Sequence, residues 1–158
     1  MKTHKTSLVG KSLDDFLDIC DIHNVDSYRA KQIFNWIYKN KINDFESFKN
    51  IPKSFLNLLK EQHTIHPLIF VRSTKSDSRL TNKFLFKTQS GALIESVLMN
   101  EGSRTTLCLS TQVGCALDCK FCATAKMGFI DNLDSGEIVD QFLLISKMLS
   151  KPITNVVF

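Results

Sequence analysis

The spacing of hydrophobic positions along this chain changes near Pro67. Before it, apolar residues recur every three to four positions, which places them on one face of a helix. Ser12 can cap a first helix, with Asp14 and Asp15 in its opening turn and Leu13, Phe16, Leu17 and Cys20 along one side. A second helix is predicted over residues 28–39, where Ala30, Ile33, Phe34 and Ile37 form a stripe and Arg29, Lys31 and Lys39 point elsewhere. A shorter one follows Asn43 and ends before Pro52, and another over residues 53–62 buries Phe55, Leu58 and Leu59. Helices this short are marginal alone, so they are expected to pack into a small helical module.

Beyond Pro67 the pattern shortens to that of strands, predicted over residues 67–73, 81–88, 92–99 and 105–110, with turn-prone stretches at 75–78 and 89–91. A cysteine-rich loop follows Ser110. Then comes a helix over residues 135–149, for which Asp134 is a good N-cap and Glu137 closes a capping box. Pro152 follows its end, and residues 154–158 begin another strand. Strand, loop, helix, strand is a β/α unit, the building block of a parallel barrel or sheet. Ile138, Val139, Phe142, Leu143, Ile145 and Leu149 form a wide apolar arc on the last helix, which leads us to expect further elements to cover it and to read the C-terminus as a truncation.

Composition narrows the class. Of 158 residues, 43% are hydrophobic and 23% charged, the balance of a globular protein. The longest aliphatic or aromatic runs are four residues, as at 142–145, far short of the ~18 that a membrane span requires. The first residues have no apolar segment behind their lysines, so no secretory signal is expected and the location implied is the cytoplasm. The net charge of +4 is spread evenly, with ten basic and eight acidic side chains in residues 1–65 and the same numbers in 66–158. That permits a nucleic-acid partner and equally serves simple solubility.

Cysteine placement carries more. Five cysteines stand at 20, 108, 115, 119 and 122, an odd number with four inside fifteen residues, which points to metal or redox chemistry rather than a disulfide framework. Cys115, Cys119 and Cys122 have the form C-x3-C-x2-C, with Phe121 before the last. Thiolates grouped on one loop can wrap several irons of a cubane cluster, and three ligands leave one iron open for chemistry. An open iron of this kind can bind the amino and carboxylate groups of S-adenosylmethionine and pass an electron to its sulfonium. Gly114 and Gly128 flank the loop and give its tight path backbone freedom. Three other readings stay open on spacing alone: zinc with Cys108 as fourth ligand, a four-cysteine electron-transfer cluster, and coincidence.

Other residues bear on a site. Thr106, Cys108 and Ser110 share one strand face, small and polar enough to line a cavity, although a free cysteine is as often a buried filler. Glu95 shares a face with Leu93, Val97 and Met99, which makes it either a wet carboxylate at a sheet edge or a buried one with a task. Trp36 lies near Arg29 and Lys39 by helical spacing and is either core or a stacking surface for a base. Cys20 reads as packing, and the four histidines show no ligand spacing.

The segment Thr106-Leu-Cys-Leu-Ser-Thr-Gln-Val-Gly-Cys115-Ala-Leu-Asp-Cys-Lys-Phe-Cys-Ala-Thr-Ala-Lys-Met-Gly-Phe129 resembles the bacterial radical S-adenosylmethionine RNA adenine-C2 methyltransferases. Tyr28-Arg-Ala-Lys-Gln-Ile-Phe-Asn-Trp-Ile-Tyr38 is similar to the helical accessory domain of that family, and Ile94-Glu95-Ser-Val extends the likeness. The resemblance implies a fold that begins α+β and continues α/β: a helical accessory domain over residues 1–65, a β-rich connector over 66–103, and the first β/α unit of a partial radical SAM barrel over 104–158. It implies a [4Fe-4S] cluster on Cys115, Cys119 and Cys122, with S-adenosylmethionine as the second cofactor. Reductive cleavage there gives a 5′-deoxyadenosyl radical, which takes hydrogen from a methylated cysteine whose carbon then adds to adenine.

By the same resemblance Glu95 matches the family's proton acceptor, and Cys108 matches the cysteine that resolves a transient disulfide. The implied partners are 23S ribosomal RNA, transfer RNA and an electron donor such as flavodoxin, with neither DNA nor membrane. The methyl-carrying cysteine and the segment that holds the cofactor's amino end are expected beyond Phe158, so this chain by itself is expected to be inactive. Alternatives are a relative that methylates C8 instead of C2, and a non-catalytic RNA- or metal-binding module with structural zinc.

Overall fold

The computed structural model describes residues 5–78, 80–117, 120 and 128–158. These fall into two compact units, Met1–Pro67 and Leu68–Phe158. No helix among the described residues is long and apolar enough to cross a membrane.

The first unit is helical and is closed by a short parallel pair, β1 (Thr6–Ser7) against β2 (His63–Thr64). The pairing continues past both strands as Leu8 and Val9 donate to the carbonyls of Thr64 and Ile65, which satisfies the backbone of two buried residues. Helix α1 (Leu13–Ile22) begins on a reciprocal capping box in which Asp15 N–H donates to Ser12 Oγ at 3.2 Å and Ser12 N–H to Asp15 Oδ2 at 2.6 Å. Helix α2 (Tyr28–Phe34) runs straight into a π-helical turn, Asn35–Lys39, closed by Asn40 N–H donating to Asn35 O. A 3₁₀ turn at Phe45–Ser47 stands where the third helix was expected, and α3 (Lys53–Gln62) follows. Phe16, Ile33, Ile37, Phe55 and Leu59 are fully buried, whereas Leu13, Leu17 and Leu58, expected on the buried faces, are each 38% exposed. Ile19 takes the inward place instead.

The second unit holds a five-stranded sheet in the order β3 (Ile69–Lys75), β4 (Thr81–Lys87), β5 (Leu93–Glu101), β6 (Arg104–Cys108), with β9 (Asn155–Val157) at the far edge. Pairing is antiparallel through β6 and then parallel between β6 and β9. A parallel pair needs a crossover, supplied here by a two-stranded ribbon of β7 (Gln112–Gly114) and β8 (Phe129–Asn132) and by α4 (Ser135–Met148). Strands from the expected connector and from the expected barrel start therefore lie in one sheet.

One face of that sheet packs on α4. Phe84, Phe86, Ile94, Leu98 and Leu107 from three strands form a buried cluster with Ile145 of the helix. Ile145, 0% exposed, finds its cover in this sheet together with Ile138, Phe142 and Leu149 packed against the same cluster, contrary to the expectation that the arc lies open. Val139 alone, at the edge of the arc, is 36% exposed. The helix starts on the expected capping box: Glu137 N–H donates to Asp134 Oδ1 at 2.7 Å and Asp134 N–H to Glu137 Oε2 at 3.1 Å.

Candidate active site

Register decides which side chains meet on the other face of the sheet. Residues paired across an antiparallel ladder point to the same side. Val97 pairs with Cys108, Met99 with Thr106, Leu85 with Glu95 and Lys83 with Val97. Glu95, Val97, Met99, Thr106 and Cys108 thus occupy one continuous face, the one turned away from α4. It is open: Leu93 is 52% exposed, Glu95 is exposed, and Val97, Met99 and Cys108 are half-buried.

Glu95 fits neither of the placements expected for it. It is wet, yet β5 is an interior strand and not an edge. The sheet leaves one face uncovered, so exposure comes without an edge. Its Oε1 lies 3.0 Å from Lys83 Nζ, with both side chains about half exposed. Lys83 was not singled out from the sequence; only the register of β4 against β5 brings it to Glu95.

Cys108 closes β6 and carries a free, half-buried thiol. Beyond it, Ser110 turns the chain toward the cysteine loop. One side chain of α4 grips both backbone groups of that serine. Gln141, fully buried, accepts from Ser110 N–H at 2.9 Å and from Ser96 Oγ at 2.8 Å, and donates from Nε2 to Ser110 O at 2.8 Å. Ser110 Oγ in turn donates to the Glu95 carbonyl at 2.7 Å. A buried amide with its oxygen and nitrogen both satisfied is a stable structural element, whereas an unsatisfied one would be costly. The signal for Gln141 in the sequence was a polar residue inside the apolar arc.

The loop itself is tied at its neck. Gly114 has φ +74°, and Cys115 N–H donates to Gly128 O at 3.1 Å. A Cβ on Gly114 would fall 1.8 Å from that same oxygen, so the two backbones can approach this closely only with glycine there. Gly128 also has positive φ, but a Cβ added there would meet nothing within 4 Å among the described residues. Cys115, the first of the three expected ligands, is a free half-buried thiol whose sulfur accepts from Leu117 N–H at 3.5 Å. Cys119 and Cys122 lie outside the described residues. Trp36, in the first unit, donates its indole N–H to Lys49 O at 3.0 Å and is half-buried, which gives it a structural task.

Comparisons with known proteins agree with one another. Residues 6–65 match the family model described as the ribosomal RNA large subunit methyltransferase N-terminal domain RlmN_N. The chain is 43% identical over 135 residues to the probable dual-specificity RNA methyltransferase RlmN of Aquifex aeolicus, covering 85% of this chain and 38% of that protein. It is 42% identical to the protein of the same description from Chloroherpeton thalassium, covering 100% of this chain and 45% of that one. A crystal structure of a radical SAM methyltransferase from Sphaerobacter thermophilus superposes with a TM-score of 0.89 at 36% identity, over 96% of this chain and 45% of the other. The chain spans less than half the length of these relatives. It belongs to the RlmN family, to whose N-terminal portion it corresponds.

Proposed function

We propose that this chain is the cluster-bearing front part of a cytoplasmic radical S-adenosylmethionine enzyme that methylates C2 of adenosine in 23S ribosomal RNA and in transfer RNA. The observation that carries the reading is the shared face of Glu95 and Cys108 on adjacent strands, with the first cysteine of the loop, Cys115, seven residues after Cys108. The relatives, an RNA methyltransferase and a radical SAM methyltransferase, support the RNA substrate class and the S-adenosylmethionine chemistry. The open face is then the interior of a partial (β/α) barrel whose first β/α unit is β6, α4 and β9. In this reading residues 1–65 serve as accessory domain, 66–103 as connector and 104–158 as the start of that barrel.

Cys115 suits a cluster ligand because its thiol is free, half-buried and already the acceptor of a backbone N–H, the kind of bond that stabilises a thiolate on iron. With Cys119 and Cys122 it would hold a [4Fe-4S] cluster, which would supply the electron for reductive cleavage of S-adenosylmethionine, with a donor such as flavodoxin as its source. Glu95 accepts the proton lost from adenine as the product forms, and Lys83 keeps a positive charge beside it. Cys108 releases the protein–RNA crosslink as a disulfide with the methyl-carrying cysteine, which is not among these residues.

Anaerobic reconstitution with iron and sulfide tests the reading. Brown protein absorbing near about 400 nm, as charge transfer from thiolate to iron gives, supports it. Colourless protein that binds stoichiometric zinc and refuses iron overturns it in favour of a structural metal module. Mass analysis of modified 23S RNA then separates 2-methyladenosine from the C8 product.

A further inference from the structure

We infer that Gln141 is the positioning residue of the candidate site: its buried amide fixes the root of the cysteine loop against the strand that carries Glu95. The inference rests on the reading above for what the loop holds, but its geometry is independent of it. Ser110 stands two residues after Cys108 and five before Cys115. Both of its backbone groups are bonded by one side chain, N–H to Gln141 Oε1 and C=O to Gln141 Nε2, in the way a neighbouring strand would pair it. Its hydroxyl donates to the Glu95 carbonyl. The same Gln141 oxygen accepts from Ser96 Oγ, next to Glu95 on β5, and Nε2 also donates to Glu137 O at 3.2 Å.

One amide therefore joins α4, β5 and the exit of β6. Past Cys108 the ladder to β5 has ended, since Val97–Cys108 is the last pair at that end, and only Leu109 N–H still bonds to β9, at Val157 O. Among the described residues, the Ser110 backbone has no strand partner. Without Gln141 its N–H and C=O would be left unpaired where α4 meets the sheet, and the chain there would be free to shift. The angle at which the loop leaves the sheet, and hence where Cys115 sits relative to Glu95 and Cys108, is set by this clamp.

The test is amide hydrogen exchange on the metal-free chain, followed by iron loading. Gln141→Met keeps the volume and removes every hydrogen bond. Its Ser110 and Cys115 amides are expected to lose about tenfold in protection, the cost of roughly one net hydrogen bond, while Phe84, Phe86 and Leu107 keep theirs. Iron then leaves the reconstituted variant faster than wild type when a chelator is added. Uniform loss of protection across the sheet means that Gln141 only packs, and overturns the inference, as does unchanged protection at Ser110 or an unchanged rate of iron loss.

Should Gln141→Met fail to fold, Gln141→Glu decides. Measured above the pH at which its carboxyl ionises, the variant keeps the acceptor for Ser110 N–H and loses the donor to Ser110 O, whereas the protonated acid would restore that donor. Ser110 protected with Cys115 unprotected supports the clamp, and any other combination overturns it. Wild-type chain that takes up no iron and sulfide would defeat the proposed function, yet the exchange result still decides for or against Gln141.

Discussion

Glu95 and Cys108 point to the same side of the sheet from neighbouring strands, separated by the single Val97–Cys108 pair. Cys108 is therefore reachable from the open face, whereas Cys20, 1% exposed on α1, is not. Burial also pushes the Cys20 thiol pKa up, which lowers its thiolate fraction further. In native, metal-free protein a maleimide should modify Cys108 and Cys115 quickly and Cys20 only on unfolding. Equal labelling of Cys20 in the folded state, read by peptide mass, would contradict this packing.

The same separation of roles predicts different outcomes for two substitutions. Cys115→Ala should abolish iron uptake on reconstitution, because it removes a ligand at the loop's tied end. Cys108→Ala should load normally, since Cys108 ends a strand of the main sheet and is not on the loop. Iron-to-protein ratios measure both, and matching losses would point to a four-cysteine site.

Gly114 should tolerate alanine far less well than Gly128. Positive φ costs each variant about 1 kcal/mol. At Gly114 a methyl must also displace the Gly128 carbonyl, which breaks the Cys115 hydrogen bond as well. Gly114→Ala is expected to lose a further 1–3 kcal/mol or so and to bind iron poorly, Gly128→Ala to lose only the backbone term. Thermal denaturation and iron content of the pair provide the comparison.

Local chemistry was legible in the sequence, and pairing was not. Ser12 and Asp134 reach their caps within three residues, so side-chain type and spacing suffice to find them. The ribbon β7–β8 and the pair β1–β2 are two to four residues long, too short to show a period, and their partners lie far along the chain. Lys83 and Gln141 escaped for the same reason: each acts across a distance in sequence that only register or packing closes. Glu95 shows the opposite limit, because its exposed face follows from which side α4 covers, and no pattern within β5 records that.

His63 should make the first unit sensitive to mild acid. Burial, together with the nearby Lys11 charge, holds its pKa below the ordinary value of 6.5, against the opposing bond to Thr6. Between the depressed folded value and 6.5 the unfolded chain binds more protons, so stability falls as the pH drops through that window and levels off below it. His63→Gln removes the slope. Melting temperatures of both proteins from neutral pH downward should converge toward the variant's favour in acid; parallel curves would show that His63 titrates normally.

Asp134→Ala should cost about 1 kcal/mol through loss of the α4 N-cap. Because Ile145 carries the buried cluster on that helix, the loss should appear in global unfolding by denaturant rather than as local fraying.

The tied neck also has a consequence for chain entropy. Cys115 and Gly128, the first and last of fourteen residues, are already held together by the β7–β8 ribbon and their own hydrogen bond. Closing a free segment of that length costs about 2 kcal/mol. Here that cost falls on folding of the second unit, not on capture of whatever the loop's thiols bind. In the proposed cluster site, thiols between those joined ends would meet a ligand at an affinity higher by a factor of about 30 than the same peptide would show unattached. Folding and loading are thereby placed in sequence: the protein that is already folded is the one equipped to be filled.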